Sequence, residues 1–122
     1  MGNKEIVVYG GCFNPPLNSH FGLAEQLLNE YENIEKVVFV PVNDDYRNSS
    51  FYDKELIISA EDRYNMLKLV CDKNDRLDVS RIEIDEGRQL NTYETLERIQ
   101  VIYPENKISF LMGSDNLKSL EN

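Results

Sequence analysis

The sequence is poor in residue types that mark several protein classes. It has two cysteines, one histidine and no tryptophan among 122 residues. Cys12 and Cys71 have neither the spacing of a metal site nor that of a disulfide framework. The apolar run at residues 6–9 is too short for a signal peptide or a membrane-spanning helix. These absences argue against a disulfide scaffold and a membrane protein, so we expect a cytoplasmic protein with no membrane partner.

Positive charge is also scarce. Lysine and arginine total 13 residues against 22 aspartates and glutamates, which gives a formal net charge of -9. A surface of that sign repels the phosphate backbone of nucleic acids, so we predict no nucleic-acid partner. A single anionic nucleotide can still bind where a few cations and backbone N–H groups converge. The length fits one domain with one core, spanning residues 1–122.

Apolar runs and helical stripes alternate along the chain. Strands are predicted over residues 6–9, 37–40, 77–84 and 108–112. Helices are predicted over residues 20–31, after a capping box at residues 59–62, and from a cap at Thr92 to about residue 103. This order is typical of an α/β fold. It predicts a Rossmann-like parallel sheet of about four strands, ordered 3-2-1-4, with helices on both faces.

Two predicted strands end in glycine, at Gly10-Gly11 and at Gly113-Ser114-Asp115. In the order 3-2-1-4 these ends lie side by side where the strand order reverses, which is where open parallel sheets bind ligands. Glycine lets backbone N–H groups approach a phosphate, and the helix beginning near Asn18 directs its positive end to the same place. His20, in the first turn of that helix, can add a donor.

Each of these signals also has a purely structural interpretation. A Gly-Gly pair after a strand is often only a tight turn, and a lone histidine in a helix is more often structural or solvated than catalytic. Thr92 and Asp115 are adequate helix caps, and Phe13 is an adequate core residue. Lys54 lies between two acidic residues, where a lysine is most often a solvated charge. The combination of residues is more specific than any one of them.

The combined motif reads Gly10-Gly11-Cys12-Phe13-Asn14-Pro15-Pro16-Leu17-Asn18-Ser19-His20. It resembles the G-G-x-F-(N/D)-P-P-H-x-G-H signature of nucleotidyltransferases and, within them, is most similar to the nicotinamide/nicotinate mononucleotide adenylyltransferases. Later segments are similar to segments of the same family: residues 41–46 to P-V-N-D-x-Y, 54–63 to a run with lysine, alanine and arginine, 92–96 to T-x-x-T-L, and 113–115 to G-A-D. The resemblance covers about Lys4 to Leu120.

The resemblance implies adenylyl transfer from ATP to a nicotinate or nicotinamide mononucleotide in NAD biosynthesis. It implies catalytic roles for His20 and Lys54, with Arg47 a less favoured source of the loop cation. Contacts to ATP would come from Gly10, Gly11, Cys12, Phe13, Gly113 and Asp115. Contacts to the mononucleotide would come from Asn14, Arg63 and Thr92. Mg²⁺ would be held mainly by the nucleotide, with no metal site on the protein.

The chain departs from the family pattern in two ways. Leu17 and Ser19 replace the first histidine and the glycine of H-x-G-H, and leucine cannot donate a hydrogen bond to a phosphate. Family members also continue past G-A-D into further helices, a fifth strand and an I-S-(S/T)-T-x-x-R motif. We therefore expect a domain truncated on its C-terminal side, with residues 108–112 as an unprotected edge that favours a dimer.

Two rival functions stay open. One is another nucleotidyltransferase, such as a pantetheine-phosphate adenylyltransferase or a cytidylyltransferase, although residues 41–46 and Pro15-Pro16 argue against it. The other is a nucleotide-binding or subunit-assembly module without turnover. Leu17 and the missing C-terminal motif favour this second alternative.

Overall fold

The computed structural model describes residues 4–11, 13, 16–42, 58–86 and 90–112. Strands and helices alternate within these ranges. The elements are β1 (Glu5–Gly11), α1 (Asn18–Glu30), β2 (Ile34–Pro41), α2 (Ala60–Cys71), β3 (Leu77–Val79), α3 (Thr92–Ile102) and β4 (Lys107–Met112). No helix in this described part of the chain has both the length and the apolar character needed to cross a bilayer.

The four strands form one parallel sheet in the order β3-β2-β1-β4, which confirms the predicted α/β, Rossmann-like order 3-2-1-4. β1 lies inside the sheet, where Val8 is paired with Val38 of β2 and with Phe110 of β4. Residues 6–10 of β1 are all buried. A strand covered on both faces needs apolar residues at every position, so it appears in the sequence as a continuous apolar run.

Helices cover both faces of the sheet, as the alternation predicts. On one face, residues of β1 and β2 pack with α1 and α2; this core contains Val7, Tyr9, Ala24, Leu28, Val37, Phe39, Leu67 and Cys71. On the other face, the alternate strand residues pack with α3; this core contains Ile6, Val8, Val38, Val40 and Ile99. Because successive strand residues point to opposite faces, β1, β2 and β4 each contribute to both cores.

Side-chain caps define where α2 and α3 begin. Ser59 caps α2 and accepts a hydrogen bond from the backbone N–H of Asp62 at 3.2 Å, as the sequence predicts. The prediction that Thr92 caps α3 is wrong, because Asn91 is the cap and Thr92 is the first helical residue. Asn91 Oδ1 accepts from the N–H of Glu94 at 2.9 Å, and Glu94 Oε1 accepts from the N–H of Asn91 at 3.2 Å. This reciprocal pair satisfies two donors that a helix start leaves open.

The third strand is much shorter than predicted. β3 ends at Val79, whereas the sequence predicts a strand over residues 77–84. The N–H of Ser80 still donates to the carbonyl of Phe39 at 2.8 Å, but Ser80 Oγ accepts from the N–H of Ile82 at 3.2 Å. Such local bonds compete with the strand ladder and turn the chain. The apolar alternation persists because Ile82 still packs against the core beneath α3.

Candidate functional site

The carboxyl ends of β1 and β4 lie next to each other. Gly10 is paired with Val40 of β2 on one side and with Met112 of β4 on the other. The crossover after β1 leads to β2, while the chain later returns past β1 to form β4, so the strand order reverses beside Gly10. This is the predicted switch point, the usual ligand position in an open parallel sheet.

Gly10 has a packing reason to be glycine. A Cβ at this position would lie 3.1 Å from Cε1 and Cζ of the Phe110 ring in β4. That separation is tighter than ordinary van der Waals contact, so any larger residue would displace the ring. The end of β1 therefore packs closely against β4. Gly10 has no side chain of its own to cover its backbone there.

Phe13 anchors the segment between β1 and α1. Its backbone has φ 49°, in the left-handed region that residues other than glycine rarely adopt, and its side chain is 3% exposed. The ring makes edge contacts with Tyr9 at 5.4 Å and with Phe39 at 5.5 Å between centroids. Burial of the ring in this aromatic cluster offsets the backbone strain, a combination that is concentrated at functional sites. The side chain of Phe13 is therefore a core residue, and any contact with a ligand falls to its backbone.

The His20 ring is held by two contacts, one with Leu17 and one with Phe13. Its Nδ1 accepts a hydrogen bond from the backbone N–H of Leu17 at 2.8 Å, and its ring packs edge-on against Phe13 at 5.0 Å. Burial lowers the pKa of His20 below its usual value, which favours the neutral ring. Because Nδ1 is an acceptor in this bond, the proton of the neutral ring lies on Nε2. His20 thus presents one N–H donor of fixed orientation.

The start of α1 has an unusual cap. Leu17 occupies the cap position and has no side-chain acceptor for the first N–H groups of the helix, and its side chain is 52% exposed. No acidic residue lies in the first turn. An N-terminus with neither a capping oxygen nor a carboxylate keeps its partial positive charge available for an anion.

Arg63 lies beneath the site rather than at its surface. The side chain is fully buried on α2, and its guanidinium donates to the carbonyl of Val42 at 2.8 Å and to that of Ile58 at 2.9 Å. The carboxylate of Glu61, two residues earlier on the same helix, binds Arg81. A contact of Arg63 with substrate remains a prediction.

The segment before α3 contains an acid that sequence reasoning missed. Glu83 accepts a hydrogen bond from the hydroxyl of buried Thr95 at 2.8 Å. Burial raises the pKa of Glu83 to about 7, and the bond from Thr95 opposes that change. The available signal was an acid between Ile82 and Ile84, within a stretch of apolar alternation. Thr92, a predicted substrate contact, is exposed at the start of α3.

Several predicted site residues fall outside the described ranges. They are Cys12, Asn14, Lys54, Gly113 and Asp115. The structure therefore brings together Gly10, Gly11, Phe13 and His20 at the end of β1, while Arg63 lies below them. Within the ranges it does describe, no group of three or more His, Cys, Asp or Glu side chains is placed to hold a metal ion.

Comparisons with known proteins identify the family of the chain. The model of the cytidylyltransferase-like family matches residues 8–122. Curated relatives include the probable nicotinate-nucleotide adenylyltransferases of Clostridium tetani, 30% identical over 117 residues, and of Rubrobacter xylanophilus, 34% identical over 116 residues. These matches cover 96% and 94% of this chain but 56% and 52% of the relatives. The chain thus spans about half the length of these curated relatives.

Solved structures show the same fold. Nicotinic acid mononucleotide adenylyltransferase from Plasmodium falciparum, solved in complex with NaAD, superimposes with a TM-score of 0.62. The match covers 90% of this chain and 51% of that one, at 16% sequence identity. The same enzyme complexed with APC gives the same TM-score. At that identity the likeness is one of fold.

Proposed function

This chain belongs to the cytidylyltransferase-like family, and on that premise we propose that it transfers an adenylyl group from ATP to a pyridine mononucleotide. The carrying observation is the arrangement at the end of β1. Gly10 lies beside β4 at the switch point, and His20 holds a single N–H donor in the first turn of α1. The names of the curated relatives favour nicotinate mononucleotide over the amide as the acceptor.

The proposed reaction needs no protein nucleophile. An oxygen of the mononucleotide phosphate attacks the α-phosphorus of ATP in line and forms a new P–O–P bond. The bond from the α-phosphorus to the bridging oxygen breaks, and pyrophosphate leaves with its electrons. Sites of this kind accelerate the reaction by positioning the two phosphates and by neutralising charge as it develops.

The residues near the end of β1 supply both effects in this proposal. The backbone of Gly10, Gly11, Cys12 and Phe13 binds phosphate oxygens, because a glycine end and a positive helix end favour anions. The Nε2–H of His20 donates to the α- or β-phosphate. Lowering of the His20 pKa by burial keeps the ring neutral, so it acts as a donor rather than as a cation.

The other assignments rest on the family motifs. Lys54 supplies a cation to the phosphates, and Gly113 and Asp115 contact the ribose of ATP. Asn14 and Thr92 contact the mononucleotide. Mg²⁺, held mainly by the nucleotide, would supply further charge neutralisation.

The test is an assay of the purified chain with ATP, Mg²⁺ and a panel of acceptors. The panel contains nicotinate mononucleotide, nicotinamide mononucleotide and phosphopantetheine, with CTP replacing ATP in a parallel series. We expect pyrophosphate release together with a dinucleotide of the mass of the nicotinate product. Turnover only with phosphopantetheine or only with CTP would instead identify another nucleotidyltransferase.

A second candidate function is a nucleotide-binding or assembly module without turnover. Leu17 favours it, since the family's first histidine is replaced by a side chain that cannot donate to a phosphate. The module predicts heat of ATP binding in calorimetry with no product under any condition. A folded protein that binds no ATP at millimolar concentration would contradict both functions.

A further inference from the structure

Arg63 is the largest of the fully buried side chains in the described part of the chain. Burying a guanidinium is costly unless its N–H groups find acceptors. Here Nη1 donates to the carbonyl of Val42 at 2.8 Å, and Nε donates to the carbonyl of Ile58 at 2.9 Å. Val42 follows β2 directly and Ile58 precedes the α2 cap, so one planar group holds two separate stretches of backbone.

Val42 connects this contact to the candidate site. Its carbonyl accepts from Arg63, while its N–H donates to the carbonyl of Gly11 at 3.1 Å. Gly11 is the last residue of β1 and is paired with Pro41. Arg63 and Gly11 are therefore joined through a single residue, by one hydrogen bond on each side of it.

We propose that Arg63 is a positioning residue that holds the Gly11 end of β1 through Val42. The property that this role requires is the geometry of the donor group. A guanidinium presents N–H groups from three nitrogens in a fixed plane, whereas lysine has one nitrogen on a flexible stem. A lysine at position 63 keeps the positive charge but cannot hold the carbonyls of Val42 and Ile58 in the same way.

A second arginine with the same kind of contact lies at the opposite end of the strands, and its side chain is exposed. Arg76 also binds two backbone carbonyls, those of Ile34 at 2.6 Å and Glu35 at 3.4 Å, at the amino end of β2. Arg76→Lys therefore removes the same kind of contact away from Gly11. Comparing an amide at the site with an amide elsewhere in the sheet of Arg63→Lys separates a specific loss at the site from a general loss of stability. Arg76→Lys shows the effect of losing such a contact away from the site.

The first measurement is amide hydrogen exchange, which needs no ligand. Arg63→Lys should speed exchange of the Val42 N–H about tenfold or more relative to the N–H of Val38 within β2. Arg76→Lys should leave that ratio unchanged. Equal acceleration of both amides in Arg63→Lys would overturn the proposal, because Arg63 would then contribute only to global stability.

The second measurement rests on the proposed function and is the dissociation constant for ATP, taken where all variants are folded. Arg63→Lys should weaken ATP binding about tenfold, and Arg76→Lys should not. If the wild type binds ATP and Arg63→Lys binds it equally well, the positioning role is wrong while the function stands. If the wild type binds no ATP, the function fails and the exchange ratio alone decides the role of Arg63.

The proposal can also be tested if Arg63→Lys does not fold. Exchange in the wild-type protein then decides it. If contacts on both sides hold Val42 in place, its N–H should exchange only when the sheet itself opens. The opening free energy measured for the Val42 N–H should then equal that measured for the Val38 N–H. A much lower opening free energy for the Val42 N–H than for the Val38 N–H would overturn the proposal.

Discussion

Replacement of Glu83 by glutamine tests the electrostatics of the segment before α3. The Glu83 carboxyl is partly buried and accepts from the Thr95 hydroxyl at 2.8 Å, and this burial raises its pKa from 4.5 to about 7. The unfolded chain therefore releases this proton at lower pH than the folded chain does. Between those two values unfolding releases a proton, so the stability of the wild type should fall as the pH rises, then level off above about pH 7.

The size of the effect follows from the same two pKa values. A pKa raised from 4.5 to about 7 corresponds to at most about 3 kcal/mol of folding free energy. Glu83→Gln removes the ionisation, and its amide oxygen can still accept from Thr95. The variant should match the wild type in acid and exceed its stability above about pH 7 by up to that amount.

Urea unfolding from about pH 5 to about pH 8 measures this difference directly. Glu97→Gln is the control for the substitution itself, since Glu97 is exposed on α3. A Glu83→Gln variant that is equally destabilised at every pH would refute the reasoning. The carboxylate would then be stabilising in its charged form, and its burial would not be a cost.

Three further predictions concern the end of β1 and the edge of the sheet. His20→Ala should weaken ATP binding in calorimetry about tenfold to a hundredfold while the fold stays intact, as for loss of one charge-assisted hydrogen bond; Gln26→Ala, exposed on the same helix, should not. Leu17→His should strengthen triphosphate binding by adding a donor, and unchanged affinity would show that position 17 does not face the phosphates. β4 has a partner strand only on its β1 side among the described residues, so light scattering at micromolar concentration should show a dimer, and a monomer with a cooperative melt would contradict an open edge.

The sheet could be predicted because its signals are local. Residues 6–9 and 37–40 are apolar without interruption because β1 and β2 are covered on both faces, and glycine marks the end of β1. The start of α3 was misplaced by one residue because Asn91 and Thr92 are both good caps. Only Asn91 has a glutamate three residues later, and the resulting pair of hydrogen bonds decides between them.

The burial of individual polar side chains could not be predicted in the same way. Arg63 and Glu83 look like ordinary surface charges because their partners are distant in sequence. Val42 lies 21 residues from Arg63, and Thr95 lies 12 residues from Glu83. Only the folded arrangement of α2, α3 and the sheet brings these groups together. The hydrogen bond that fixes Nδ1 of His20 is local by contrast, since its partner Leu17 lies three residues earlier, and it depends on how the chain enters α1.

The single histidine gives the protein a built-in spectroscopic reporter. The chain has one imidazole, so its ring protons form one set of signals in a proton NMR spectrum and need no isotope labelling to assign. The Phe13 ring, 5.0 Å away and nearly perpendicular, imposes a ring-current shift that depends on the conformation of the segment leaving β1. One resonance can therefore follow events at the carboxyl end of the sheet through an entire titration.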